Sequence, residues 1–290
     1  MSPSPPSWRL GLIGLAAVVV AGATACNTSP ADPAFQIDTT PTSLPDTSGP
    51  PSDVWRPSPG TTWQWQLTGT IATSVDAEMF DVDLFEVPKS TVDELHERGR
   101  IAVCYVSAGS WEGFRPDAAA FPESVLGRDN GWPEERWLDI RQLDVIGPIM
   151  EARLDLCRDK GFDGVEADNV DGYVNNTGFP LTAEDQLIFN TFLADAAHAR
   201  GLSIGLKNDV EQAAVLEPLF DWAINEECVR FRECELLLPF IEAGKAVFHV
   251  EYGVEVSEFC PLTVGLGFSS MLKLPRLDEW REYCPTTGGE

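Results

Sequence analysis

Hydrophobic positions along this chain follow two alternating patterns. Short apolar runs, many β-branched or aromatic and bounded by Gly, Pro or Asp, predict strands. There are eight: Trp63–Leu67, Met79–Phe85, Ile101–Ser107, Gly164–Asp168, Ser203–Asn208, Trp222–Glu226, Ala246–Tyr252 and Val264–Ser269. Between many of them the apolar spacing lengthens to three and four, which predicts helices. Val92–Arg98 ends at Gly99. Leu143–Lys160 carries Ile146, Met150, Leu154 and Cys157 on one stripe and ends at Gly161. Thr182–Arg200 opens on Thr182 and Asp185, a capping-box spacing with Asp in place of Glu or Gln, and ends at Gly201. Val210–Leu219 and Glu233–Ala243 follow.

Strand–helix repetition on this scale predicts an α/β fold, a parallel (β/α)8 TIM-type barrel in a single domain. An open doubly wound sheet is the alternative. No GxGxxG or P-loop pattern supports nucleotide binding. Barrel chemistry sits at the C-terminal ends of the strands. Those ends hold Asp83 and Glu86, Ser107, Asp168 with Asn169, Lys207 to Asp209, Asn225 to Glu227, and Glu251 with Tyr252. Strand ends are often polar because they are solvated. Six such ends on one rim exceed that explanation.

The N-terminal pattern differs. Arg9 precedes an apolar run from Leu10 to Ala25, too short to span a bilayer comfortably and closed by small residues. Residues 1–25 therefore read as a signal peptide. Ala23-Thr24-Ala25 suits ordinary cleavage, and with Cys26 it also suits a lipoprotein box, with Ala23 where Leu is usual. Seven cysteines bear on this choice. Cys104, Cys157, Cys228, Cys234, Cys260 and Cys284 can all pair in an oxidising compartment, which leaves Cys26 as the odd one; lipidation there would account for it. The spacing of Cys228 and Cys234 suits a local bridge. Cys104–Cys157 and Cys260–Cys284 complete one of about fifteen pairings. Residues 26–60 are rich in Pro, Ser, Thr and Asp and read as a flexible tether, leaving 61–290 as the folded domain.

Charge narrows the partners. Forty-six acidic against 20 basic residues give −26, and loss of Arg9 with the leader makes the balance more negative. Such a surface repels nucleic acid and anionic lipid. It suits either a cationic substrate or plain solubility. His96 and His198 fall on predicted helices, where surface or packing roles are expected, and His249 lies inside the seventh strand. No HExxH or CxxC supports zinc or redox chemistry, and Ser107 lacks a GxSxG elbow. Divalent-cation binding by Asp168, Asp171 and Asp209 is a lesser alternative. No cofactor or metal is expected.

Four segments taken together are more specific. Val103-Cys-Tyr-Val-Ser-Ala-Gly-Ser110, Gly161-Phe-Asp-Gly-Val-Glu-Ala-Asp-Asn-Val-Asp-Gly-Tyr173, Ser203-Ile-Gly-Leu-Lys-Asn-Asp209 and Asn225-Glu-Glu-Cys228 together resemble glycoside hydrolase family 114, the endo-α-1,4-polygalactosaminidase group. The resemblance runs from about Trp63 to about Trp280. It implies cleavage of α-1,4-linked galactosamine polymers by two carboxylates at the ends of the fourth and sixth strands. Carried over, these are Asp168 and Glu226. By analogy with other α-specific barrels, Asp168 suits the nucleophile and Glu226 the acid/base. Glu166 shares strand parity with Asp168 and is its rival. In the sixth strand, alternation groups Asn225 with Glu227 and so favours Glu227, whereas the resemblance favours Glu226.

Expected substrate-binding residues are Tyr105, Trp111, Glu166, Asn169, Asp171, Tyr173, Asn208, Asp209, Glu251 and Tyr252. Aromatic rings stack on sugar faces, and carboxylates pair with protonated amines. Lys207 reads as a buried structural partner of Glu166. Trp63 and Trp65 alternate with Gln64 and Gln66, and the Gln side is a candidate sugar contact. The expectation is a monomeric, extracellular enzyme whose partner is an amino-sugar polysaccharide, touching membrane only through a lipid at Cys26. A non-catalytic carbohydrate-binding barrel is the alternative.

Overall fold

The structure is a computed structural model that describes residues 54–284. The signal peptide, Cys26 and most of the tether lie outside the described residues. The strands, in chain order, are β1 Trp63–Gln66, β2 Met79–Asp83, β3 Ile101–Ser107, β4 Ser110–Glu112, β5 Leu126–Asp129, β6 Glu135–Leu138, β7 Gly164–Asp168, β8 Ser203–Lys207, β9 Trp222–Glu226, β10 Val247–Tyr252, β11 Ser269–Lys273 and β12 Glu282–Tyr283. The helices are α1 Lys89–Glu97, α2 Leu143–Lys160, α3 Ala183–His198, α4 Ala213–Leu216, α5 Cys228–Phe231, α6 Leu238–Glu242 and α7 Val256–Gly265.

Nine strands form one curled sheet in the order β1-β2-β3-β7-β8-β9-β10-β11-β12. All neighbours pair in parallel except β12, which runs antiparallel to β11. Alternate residues of each strand enter two separate cores. Trp63, Trp65, Met79, Val103, Trp222, Ile224, Phe248, Val250 and Met271 pack inside the curl. Phe80, Val82, Cys104, Val165, Ile204, Leu206, Ala223 and Val247 pack outward against the helices. Burial on both faces explains why these strands read as nearly continuous apolar runs.

The first and eighth parallel strands meet through side chains and the C-terminal segment. The Trp63 indole donates to the Ser269 carbonyl at 2.9 Å. Arg281 donates to the Trp63 carbonyl. The Leu67 amide reaches the Leu277 carbonyl at 2.9 Å, and the Gln64 amide reaches that of Glu279 at 2.8 Å. Gln66 is likewise spent on backbone groups of Thr68, Thr70 and Ala72. Neither glutamine is therefore a sugar contact, and the tryptophans fill the interior instead.

Several expected elements change. Val264–Ser269 is not one strand: Val264 and Gly265 end α7, Leu266 to Phe268 form the turn out of it, and β11 starts at Ser269. A Glu255/Glu258 capping box starts α7, and Phe259, Cys260 and Thr263 bury one face. Short apolar runs do not by themselves separate strand from helix. Val210–Leu219 and Glu233–Ala243 are each broken into short segments, with Pro218 and Pro239 second in new ones. The Thr182/Asp185 capping box forms, with Asp185 N–H on Thr182 Oγ1 at 3.1 Å and the Thr182 amide on Asp185 Oδ2 at 2.8 Å. Residues ahead of 61 also pack on the barrel: Trp55 lies edge-on to Trp222 at 6.5 Å, and Arg56 pairs with Asp221 at 2.9 Å.

An unexpected antiparallel sheet, β4-β6-β5, is inserted between β3 and α2. Two buried arginines pin it to the barrel. Arg115 binds Asp83 through both nitrogens at 2.9 and 2.6 Å, and also Glu112 at 2.7 Å. Arg153 on α2 holds Asp117 and the Ser107 carbonyl, each at 2.7 Å.

All three expected disulfides are present: Cys104–Cys157, Cys228–Cys234 and Cys260–Cys284. They join β3 to α2, close the turn after β9, and tie α7 to the C-terminal segment. Cross-links of this kind stabilise by restricting the unfolded chain, typically by about 2–4 kcal/mol each. No helix among the described residues is long and apolar enough to cross a membrane.

Candidate active site

β7, β8 and β9 bring one lysine against three carboxylates. Lys207 Nζ lies 2.7 Å from Glu166 Oε1, 3.2 Å from Asp168 Oδ1 and 3.3 Å from Glu226 Oε2. Lys207 and Glu166 are fully buried, whereas the side chains of Asp168 and Glu226 are 18% and 29% exposed. The two reachable carboxylates thus sit at the mouth, and Glu166 sits below them. Burial tends to lower the Lys207 pKa, but the charges of Asp168, Glu166 and Glu226 outweigh it and hold the ammonium well above its ordinary range. Its other neighbour is the Trp65 ring, 4.7 Å from Nζ. Lys207 is more than the partner of Glu166 expected from sequence. It ties together the ends of two strands.

Each mouth carboxylate has its own tyrosine. Tyr105 donates to Asp168 Oδ2 at 2.9 Å, and Tyr252 to Glu226 Oε1 at 2.5 Å. Burial, then the charge of the adjacent carboxylate, raises both phenols well above their ordinary pKa, so both stay protonated donors. The Asn169 amide also donates to Asp168 Oδ1 at 2.7 Å.

Glu226 rather than Glu227 belongs to this group. The alternation that favoured Glu227 fails only in the face assigned to the interior. Trp222 and Ile224 point inward, so Glu226 follows them. Glu227 turns away at φ 62° and pairs with Arg230. Left-handed backbone recurs after the other two strands, at Asn169 (φ 62°), Asn208 (φ 51°) and Asp209 (φ 39°). Asn and Asp tolerate this region better than most residues; Glu227 is the costlier case. These turns let the chain leave the barrel within one residue of the site. Asn208 uses the turn to accept the Glu226 amide at 3.0 Å and the Asn225 side chain at 3.2 Å. Gly109 has a related role: a Cβ there would lie 1.8 Å from the Asn169 carbonyl oxygen.

The other expected binding residues divide. Asp171 and Tyr173 lie beside Asp209 and Glu211, with the Tyr173 hydroxyl 3.4 Å from Glu211. Asp209 itself is buried and accepts from Asn190 of α3 at 2.8 Å, which makes it a wall residue. Burial, then the charge of Asp171, pushes its carboxyl up to about 9. Trp111 on β4 is half-buried: its indole donates to the Ala118 carbonyl at 3.1 Å and part of its ring packs against the outer core. Glu251 points away from the barrel interior: it faces the helical layer, accepts the Val229 amide of α5 at 2.9 Å, and meets His249 at 3.2 Å. His96 and His198 pair with Asp163 and Asp221, as packing roles require. Among the described residues no three His, Cys, Asp or Glu side chains are arranged to hold a metal ion.

The inserted sheet adds a residue that the sequence did not mark. Glu135 on β6 accepts from Asn130 at 2.8 Å and from Ser110 at 3.4 Å. Ser110 touches Ser107 at 2.6 Å, and Ser107 accepts from Asn169 at 2.9 Å. This chain ends on Asp168. Burial, aided by the charges of Glu112 and Asp168, pushes the Glu135 carboxyl from 4.5 up to about 7. Between those values the folded protein holds a proton that the unfolded chain has released, so stability falls as pH rises. Glu135→Gln is therefore expected to gain stability over wild type by a margin absent below pH 4.5 and complete above pH 7. The margin is on the order of 1 kcal/mol once solvent screening of this partly exposed group is allowed for. Thermal melts across that range read it; a margin that does not change with pH would refute the assignment.

Known proteins share this fold. The model of glycoside-hydrolase family GH114 matches residues 45–288. The crystal structure of Aspergillus fumigatus Ega3 in complex with galactosamine superposes with a TM-score of 0.76 at 44% identity, covering 79% of this chain and 97% of that one. The glycoside hydrolase domain of PelA from Pseudomonas aeruginosa gives a TM-score of 0.60 at 14% identity, covering 76% and 96%, a likeness of fold. An uncharacterized protein of Deinococcus radiodurans is 27% identical over 225 residues, 66% of this chain and 71% of the relative. The match extends over almost the whole barrel and takes in every residue around Lys207, and so this chain belongs to glycoside hydrolase family GH114.

Proposed function

We propose that this glycoside hydrolase cuts α-1,4-linked galactosamine polymers internally, by double displacement, with Asp168 as nucleophile and Glu226 as acid/base. The observation that carries the mechanism is the shared lysine. One ammonium contacts both carboxylates, so the two oxygens it touches lie at most about 6.5 Å apart, the sum of its two distances. Inverting enzymes need roughly 6.5–9.5 Å between carboxyl groups to admit a water, whereas retaining ones need about 5–5.5 Å. The bound favours retention.

The first step would run as follows. Glu226 gives its proton to the glycosidic oxygen while Asp168 attacks the anomeric carbon, and the leaving chain departs with that proton. Glu226 ends as a carboxylate, the form that Lys207 and Tyr252 bind best. Asp168 loses its charge on forming the ester. Glu226 then takes a proton from water, which attacks the ester and frees Asp168. The Tyr105 hydroxyl serves the departing Asp168 oxygen throughout.

The substrate class rests on the similarity to Ega3, which was solved with galactosamine, and on a chain with charge −26 that suits a cationic polymer. The leader pattern and the disulfides, which persist in oxidising compartments, support an extracellular location. We place the enzyme outside the cell as a monomer, held at the membrane by lipid on Cys26. Incubation with partly deacetylated α-1,4-galactosamine polymer should release new reducing ends and a ladder of oligomers by mass spectrometry. Proton NMR taken early should show α-anomers first. Binding without new ends would sink the enzymatic reading, and β-anomers would sink double displacement.

A further inference from the structure

Beneath Lys207 the barrel holds a second, fully buried acid. Asp81 on β2 and Glu166 on β7 are both completely shielded from solvent. Strand register explains how they meet. Asp81 pairs with Val103, and Val103 with Gly164, so Glu166 stands one inward row above Asp81 and two strands away. The two carboxyl groups are in hydrogen-bond contact. Yet neither Asp81 oxygen nor Glu166 Oε2 meets an N–H or O–H donor from any other described side chain or from the backbone. Two bare carboxylates in contact, both shielded from solvent, would repel each other strongly. A single proton between them removes the repulsion and satisfies both groups.

We infer that Asp81 carries this proton and donates it to Glu166 Oε2, so that Glu166 remains an anion and holds Lys207 between Asp168 and Glu226. Asp81 is thus a positioning residue acting through Glu166 and Lys207. The inference rests on the two-carboxylate reading for its functional part only. Placement of the proton follows from asymmetry. Glu166 has Lys207 at 2.7 Å to stabilise its negative charge, whereas Asp81 is further from that ammonium and closer to carboxylates. The charged groups acting on Asp81 are Glu166 and Asp168 of β7 and Lys207 of β8. Burial first, then the charge of Glu166, raises the Asp81 carboxyl well above its ordinary value. The same contact lowers Glu166, although burial leaves it raised on balance.

The test compares Asp81→Asn, Asp81→Ala and Glu166→Gln. Asn keeps the shape and a donor toward Glu166, as the protonated acid does. Unfolded Asp81 ionises near its ordinary 3.8, whereas folded Asp81 stays protonated. Wild type therefore loses stability relative to Asp81→Asn as pH rises above that value. The melting temperature of Asp81→Asn should match wild type near pH 4 and exceed it by on the order of 5 °C at pH 8. In turnover, Asp81→Ala should lose roughly 100-fold in kcat with little change in KM, and Asn should restore most of that loss. Glu166→Gln should lose as much as Ala, because a neutral amide no longer fixes the ammonium. A pH-independent melting difference, an Asn variant no better than Ala, or one that fails to fold would each overturn the inference. A tolerated Glu166→Gln beside a damaged Asp81→Asn would move the proton to Glu166 and overturn it too. The melts need no substrate. A wild-type enzyme inactive on galactosamine polymer would therefore remove the functional reading while the melts still decide the proton.

Discussion

Asp168→Asn is expected to lower kcat on galactosamine polymer by about 10⁴-fold or more, equivalent to roughly 5 kcal/mol of barrier. The fold should survive, because the amide oxygen can still accept the Asn169 N–H while the amide nitrogen donates to the Tyr105 hydroxyl, at the two positions that orient Asp168 now. Without a nucleophile neither step of double displacement proceeds. Glu226→Gln should behave differently. Loss of a general acid costs about 10²–10⁴-fold, and the loss depends on how much the leaving group needs a proton. With an activated aryl galactosaminide the first step should stay fast and the covalent intermediate should accumulate. Intact-protein mass spectrometry would then show enzyme plus one sugar unit. Equal loss on both substrates, with no adduct, would reverse or dissolve the assignment. Near-normal turnover by Asp168→Asn would remove Asp168 from the reaction.

Lys207→Met carries the other large effect. The lysine is 1% exposed and Glu166 is wholly buried, so the variant leaves a buried anion with no counter-ion. Breaking such a pair from one side costs about 3–5 kcal/mol. For a barrel of this size that is a fall in melting temperature on the order of 10 °C. Activity should vanish as well, because Asp168 and Glu226 would repel each other across the site with nothing between them. The two losses are separable. Adding Glu166→Gln to Lys207→Met removes the stranded charge and should recover most of the stability while recovering no activity. Additive losses in that double-mutant cycle would mean the pair is not coupled as the 2.7 Å contact requires.

Much of this site was readable in the chain. Asp168 was legible twice over, from the strand-end position and from the family resemblance. The Cys228–Cys234 bridge was legible from spacing alone, and the Thr182 cap from a local pattern. Glu226 was half legible: period-two alternation holds in β9, but the inward face is set by Trp222 and Ile224 joining Phe248 and Trp63 in the inner core. Glu251 looks like a sugar contact in one dimension. It is consumed by the Val229 amide, a partner that only packing supplies. Val264–Ser269 reads as a strand because a short apolar run of that length fits a helix end and its exit turn as well as a strand.

What the sequence determined by itself was periodicity, caps, cysteine spacing and an order of motifs, all of which are local or additive along the chain. That is enough to imply a barrel with acidic strand ends. Only the tertiary structure decided which acids face one another. Asp81, Glu166, Asp168, Lys207 and Glu226 come from four strands, and their charges are fixed by mutual distance and by loss of water. Neither quantity exists until the sheet has curled and brought those strands around one lysine.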